Sequence, residues 1–346
     1  MKAVICGYYG KGNGGDEALL VSLLQMLPPQ ITPIVLSNNP KQTQKSYGVE
    51  SYYSRSTFDV LKALKHSDVF IWGGGSLMQD VTSAASPVYY GGLMALAQQQ
   101  GLKTVAWAQG IGPLKRPLTR WITKQVLQNC TAISVRDYGS AKLVAEWNIN
   151  PIVAPDPVWA LEATPFLQLI DLRAPRVAVN LRSHPLLTPQ RLEVLTQALV
   201  DFQKATQAFI LLVPFQLSQD LDIARSIAQR LPNNDHQIIT LEDPRQLKGL
   251  FRGVEMLIGM RLHSLIMAAA ENCRCFALSY DPKVTRLMEE INILGWELFS
   301  LPEQSHQISK AWIEHYANGE ALSSDRIHSL IDRALMHQEI LEKLAQ

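Results

Sequence analysis

The sequence predicts an α/β protein made of two doubly wound, Rossmann-like domains that face a cleft. Three observations predict it. Short apolar runs alternate with longer helical patterns, which is the grammar of βαβ units and parallel sheets. The alternation starts twice, at Lys2–Cys6 (KAVIC) and again at Arg176–Asn180 (RVAVN). Glycines and charged residues gather just beyond the ends of these runs in both halves, where open parallel sheets bind ligands.

The elements follow in order. After the first strand comes a glycine loop at 7–15, then a helix over 16–27 with Leu20, Leu23, Leu24 and Leu27 on one stripe, stopped by Pro28 and Pro29. Further strands are expected at 34–36, at 69–72 ending in three glycines, at 104–108 and at 132–135. Pro155 and Pro157 close the first domain, 1–157. A less regular stretch, 158–175, reads as a linker. The second domain, 176–305, continues with strands at 209–214, 237–241, 254–258 and 275–280. A helical tail, 306–346, follows and could pack back on the first domain.

Composition narrows the function classes. A chain of 346 residues with 47% hydrophobic and 18% charged residues can bury two ordinary cores and is not disordered. Its formal net charge of +1 gives no basic excess for nucleic acid. Four cysteines show no paired ligand spacing, so reduced thiols and no metal are expected. Met1 leads straight into a strand without an apolar leader, and no apolar run approaches bilayer length. The expected location is cytoplasmic, with any membrane contact peripheral, at the inner face. The basic stretch 115–124 admits two readings, a helix lying on an anionic membrane or, more commonly, a solvated helix face.

Six segments carry the chemistry. Residues 7–17 (GYYGKGNGGDE) combine glycines that permit close backbone approach with a helix start that offers N–H groups. The match to a dinucleotide fingerprint is partial, and Asp16 and Glu17 would repel a pyrophosphate. Asp16 is read as a helix cap before a catalytic base. Gly74, Gly75 and Ser76, in the run after the third expected strand, again bring backbone towards a ligand; the alternative is a tight turn. Residues 109–113 (QGIGP) shape a loop. Arg136 stands past a strand, where it needs either a ligand or a carboxylate such as Asp137. Arg182 has the same ambiguity, and His184 beside it reads as a loop residue. Residues 259–264 (GMRLHS) are the most informative. Arg261 can clamp a phosphate or carboxylate, and His263, two residues on, can give or take a proton. Lys283, in SYDPK, offers a second cation unless Asp281 pairs with it. The other seven histidines show no comparable setting.

In this order, GYYGKGNGGDEALL, WGGGSLMQD, AQGIGPL, SVRD, GMRLHSLIMAA and SYDPKV resemble the polysaccharide pyruvyl transferase family, in particular its CsaB type. The resemblance spans residues 7–284. It implies a fold like the two-domain GT-B glycosyltransferases, phosphoenolpyruvate as donor substrate with no other cofactor, and a saccharide hydroxyl pair as acceptor, on a lipid or nucleotide carrier in the best-known members. It ties Arg136, Arg261, His263 and Lys283 to the donor and catalysis, with Arg182 as a further candidate. The glycine-rich segment, with Gly10 and Asn13, would face the acceptor. On this reading His263 is the acid and Asp16 a candidate base. Fixed cations balance the phosphate charge without a metal. A GT-B glycosyltransferase using a nucleotide sugar and a non-catalytic saccharide- or anion-binding protein are the competing readings.

Overall fold

The computed structural model describes residues 1–81 and 83–345. These form two compact units, one of Met1–Leu161 with the residues from Ser329 onward, the other Glu162–His328. The first division falls inside the stretch expected as a linker, which carries two short 3-10 helices, Pro157–Ala160 and Leu167–Asp171. The expected tail divides as well. Helix Ser305–Asn318 packs on helix Pro189–Thr206 of the second unit, while helix Met336–Ala345 belongs to the first.

The first unit holds a parallel sheet of β1 (Lys2–Cys6), β2 (Thr32–Ser37), β3 (Glu50–Tyr53), β4 (Val69–Met78), β5 (Lys103–Ile111), β6 (Ala132–Val135) and β7 (Ile152–Val153). Their order is β3-β2-β1-β4-β5-β6-β7. Successive residues point to opposite faces, and both faces are buried. Val4, Cys6, Phe70, Trp72 and Ala106 enter one core. Ala3, Ile5, Val69, Ile71, Val105 and Trp107 enter the other, where Ile340, Leu341 and Leu344 of the last helix join them.

The second unit repeats the pattern with β8 (Arg176–Asn180), β9 (Phe209–Leu212), β10 (His236–Ile238), β11 (Met256–Gly259), β12 (Arg274–Ser279) and β13 (Leu294–Glu297), in the order β10-β9-β8-β11-β12-β13. Both orders reverse direction beside their first strand, as in Rossmann-like sheets. Val177, Ile210, Ile258 and Phe276 enter a core that Trp312 of helix Ser305–Asn318 helps to fill.

Two expected strand ends move. The strand expected at 69–72 runs on through Gly73, Gly74 and Gly75 to Met78, which removes the alternative of a tight turn there. Likewise β5 continues past Ala108 to Ile111, with an irregularity between Ala106 and Gln109 where Ala108 takes a left-handed φ of 49°. A left-handed alanine inside a strand is local strain at the carboxyl end of the sheet.

Candidate functional site

In the first unit the glycine loop is built around buried carboxylates and hydroxyls. Gly10 has a φ of 72°, and a Cβ there would lie 2.1 Å from Ser37 Oγ. Its N–H donates to Glu17 Oε1 (2.8 Å), and the Tyr47 hydroxyl donates to Glu17 Oε2 (3.0 Å). Burial pushes the Glu17 carboxyl up, against the pull of these two bonds. The helix Gly14–Met26 is capped by Asn13, whose side-chain oxygen accepts from Gly15 N–H. Asp16 is therefore not the cap. It lies in the first turn, accepts from Asn13 Nδ2 (2.5 Å), and has Oδ1 beside Gly75, 3.5 Å from where a Cβ would sit.

Arg136 follows β6 and is buried. Its Nη1 donates to Asp156 Oδ2 (2.8 Å) and its Nη2 to Ser76 Oγ (2.8 Å). A Cβ on Gly110 would stand 2.9 Å from Ser76 Oγ and 3.0 Å from Arg136 Nε, so only glycine leaves room for this arrangement. Asp137 caps the next helix through Ser140 N–H. Asp16, Gly75, Ser76, Gly110 and Arg136 thus gather around the carboxyl ends of β4, β5 and β6.

Beneath them lies His337, which the sequence did not single out. It is fully buried. Nε2 is 2.9 Å from Pro155 O, and Nδ1 is 2.9 Å from Ser134 Oγ. A carbonyl can accept but not donate, so Nε2 carries the proton and Nδ1 accepts from the serine. Ser134 Oγ in turn accepts from Ala108 N–H (2.8 Å). Burial drives the imidazole pKa down to about 4. The last helix thereby fastens Ser134 and Pro155, next in sequence but one to Arg136 and next to Asp156.

In the second unit Arg261 caps the helix Leu262–Ala270 by its backbone and turns its side chain to Asp220. Nε donates to Oδ2 (2.8 Å) and Nη2 to Oδ1 (2.6 Å), with both residues buried. Oδ2 also accepts from the N–H groups of Phe215 (2.9 Å) and Gln216 (3.0 Å). The guanidinium fork predicted for a ligand is thus engaged by a carboxylate of this chain. Gln219 Oε1 accepts from Arg182 Nη2 (2.5 Å) and, more weakly, from Arg261 Nη2 (3.4 Å), so the two arginines share one amide. Arg182 Nη1 donates to the Tyr280 hydroxyl (2.9 Å), and its guanidinium lies 5.0 Å from that ring's centroid. His184 packs against Tyr280 as well, its ring tilted by 50° at a centroid distance of 4.8 Å, with Nδ1 accepting from Leu186 N–H. Burial and the neighbouring Arg182 lower its pKa.

His263 is half-buried in the first turn of the helix Leu262–Ala270. Lys283 is half-buried in the first turn of helix Pro282–Ile291, capped by Asp281; its Nζ is 3.7 Å from Asp281 Oδ2. Beside Tyr280 and Asp281 opens a pocket of about 290 Å³, lined further by Ser279, Thr285, Glu297 and Phe299. Ser279, Thr285 and Glu297 form a hydrogen-bonded row (2.8 Å and 2.8 Å). Arg286 and Glu289 line it too, so the pocket carries both signs of charge: its carboxylates can accept from hydroxyl groups, while Arg286, with Arg182 and Lys283 nearby, favours anions.

The family model described as polysaccharide pyruvyl transferase matches residues 13–282. The chain belongs to that family. The match takes in Asp16, Arg136, Arg182, Arg261 and His263, and ends one residue before Lys283. A search of curated proteins found no significant match. Among solved structures, the UDP-GlcNAc 2-epimerase of Methanocaldococcus jannaschii aligns with a TM-score of 0.68 at 10% identity, over 99% of this chain and 99% of its own. Anabaena HepE, solved with UDP and glucose, aligns at 0.63 and 12%, over 100% and 99%. A glycosyltransferase of Rickettsia africae aligns at 0.59 and 12%, over 99% and 97%. At these identities the likeness shows the fold, which this pyruvyl transferase family member shares with nucleotide-sugar enzymes.

Proposed function

We propose that this chain transfers the pyruvyl group of phosphoenolpyruvate to two hydroxyls of a saccharide, forming a ketal, as a step in building a surface polysaccharide. The observation that carries the reading is the pairing of Arg182 with Arg261 through Gln219 at the strand ends of a family member. Phosphoenolpyruvate presents a carboxylate and a phosphate, which call for fixed cations. Arg182 and Lys283 take the anion directly. Arg261, with Nε and Nη2 engaged by Asp220, chiefly positions the site and has Nη1 to offer a ligand. Arg136 is a further donor contact.

His263 gives a proton to the methylene carbon, which becomes the methyl group. One sugar hydroxyl adds at C2, the C–O bond to phosphate breaks, and inorganic phosphate leaves. The second hydroxyl closes the ketal. Of the two hydroxyl protons released, one restores the acid and one leaves with the phosphate. Asp16 is the proposed base. Gly10, Asn13, Gly74, Gly75 and Ser76 face the sugar, and the pocket lined by Thr285 and Glu297 offers hydroxyl acceptors near the cations. The acceptor is a lipid-linked or nucleotide-linked saccharide.

The UDP-bound fold relatives favour one rival, transfer from a nucleotide sugar. Incubation with phosphoenolpyruvate and with nucleotide sugars, over a panel of saccharides, separates the readings. Phosphate release supports pyruvyl transfer, nucleotide release replaces it, and binding without turnover makes the chain a binding protein. Loss of the acid in His263→Ala should lower turnover ~10²–10⁴-fold. Near wild-type turnover in His263→Gln, with donor affinity intact, would make His263 a binding residue.

A further inference from the structure

Helix Pro117–Gln128 is anchored on one side and exposes apolar side chains on the other. Thr119, Thr123, Val126 and Leu127 are buried. The buried carboxylate of Asp80 fixes the start of the helix by accepting from the N–H groups of Lys115 (2.8 Å) and Arg116 (2.8 Å) and from the Thr119 hydroxyl (2.6 Å). Burial would raise its pKa, but these bonds prevail and hold it below the usual carboxylate range.

On the outer side Leu118 is 61% exposed and Trp121 59%. The two are one turn apart and lie together on the surface. Val81, next to Asp80 in sequence, is 58% exposed. Lone exposed apolar residues are ordinary, but a leucine and a tryptophan on one helix face are not what a solvated face needs.

The charge around them has one sign. Residues 114–129 contain Lys115, Arg116, Arg120 and Lys124 and no acid, in a chain whose formal net charge is +1. Arg120 turns aside to pair with Glu146 and stack on Trp147. Arg116 feels the charge of Asp80. Lys115 and Lys124 have no ion pair among the described residues. An exposed tryptophan and leucine bordered by lysines is what binds a helix in the plane of an anionic bilayer, with indole at the interface and ammonium groups at the phosphates.

We propose that this helix docks the protein on an anionic lipid surface, with Leu118, Trp121 and Val81 entering the interface and Lys115, Arg116 and Lys124 meeting the headgroups. This proposal takes the less common of the two readings that the sequence left open for residues 115–124. It does not depend on the pyruvyl reaction.

The test is co-sedimentation of the full chain with vesicles of phosphatidylcholine alone or mixed with phosphatidylglycerol. Binding is expected with the anionic vesicles and should fall with added salt. Lys115→Gln and Lys124→Gln should each weaken it about fivefold, the contribution expected of a cation near such a surface. Leu118→Ser with Trp121→Ser should weaken it by about tenfold or more while leaving circular dichroism unchanged, since both positions are exposed. Equal binding to both vesicle types, or unchanged binding by the Ser/Ser variant, overturns the proposal. So does concentration-dependent self-association that the Ser/Ser variant abolishes without any vesicle binding, which would make this a protein interface.

Discussion

Arg136 and Arg261 each stand just past the carboxyl end of a strand, buried and paired with an aspartate, yet the two pairs are built differently. Asp220 accepts both arms of Arg261 and two backbone N–H groups. Asp156 accepts from Arg136 Nη1 and from the N–H of Val158 (3.1 Å), and Arg136 Nη2 also donates to the Ser76 hydroxyl. A hydroxyl can be exchanged for a ligand oxygen at little cost; a saturated carboxylate cannot. The second unit thus seats its arginine on a carboxylate that also holds two backbone N–H groups, and the first divides its arginine between a carboxylate and a serine hydroxyl. Position at a strand end does not by itself make an arginine a ligand clamp.

The largest effect that can break this comparison is on stability. Arg261→Ala leaves Asp220 buried without its cation and should cost about 3–5 kcal/mol, with Arg136→Ala at the low end of that range. Urea unfolding measures both. A larger loss in Arg136→Ala would reverse the assignment. Adding Asp220→Asn to Arg261→Ala should recover part of the loss, because no buried charge then remains.

The next effect concerns the support beneath Arg136. In an unfolded chain His337 would titrate near 6.5, but in the fold its pKa is about 4. Above pH 6.5 both states are neutral and the contribution is complete. As pH falls towards 4, the unfolded chain takes up a proton that the folded imidazole refuses. Stability then falls, by on the order of 3 kcal/mol in all. Unfolding of wild type and His337→Asn at pH 7 and pH 5 isolates this part. Equal pH dependence in the two would remove His337 from the account.

The smallest stability effect belongs to Lys283. Its pairing with Asp281 is long and partly solvated, so Lys283→Ala should change stability by less than about 0.5 kcal/mol. Under the proposed function the same variant should raise the KM for phosphoenolpyruvate. An unchanged KM would leave Lys283 as a surface residue and sharpen the contrast to Arg182.

The long buried strands were legible because their apolar runs have no other use. The edge strands Glu50–Tyr53, Ile152–Val153 and Leu294–Glu297 were not, since short, half-exposed strands need no apolar run. The glycines of β4 hid the length of that strand because glycine runs seldom mark a strand, and here they give clearance: a Cβ on Gly73 would meet the Tyr9 hydroxyl at 2.1 Å. The arginines at the site were visible, their partners were not. Asp220 lies in an amphipathic stretch, LSQDLDIARSIA, that looks like a solvated helix, and Asp156 lies between two prolines. His337 gave no signal at all. Its meaning depends on Ser134 and Pro155, which only folding brings to it.

That last helix also sets an order of events. The first unit includes residues from Ser329 onward, so during synthesis its core is complete only once helix Met336–Ala345 has emerged. The second unit, encoded later than most of the first, has all its residues emerged sooner. A nascent chain would carry a finished second domain while the first still exposes the apolar groove meant for Ile340, Leu341 and Leu344. Removing residues 336–345 would therefore damage the unit built from the first part of the sequence, not the one that precedes this helix.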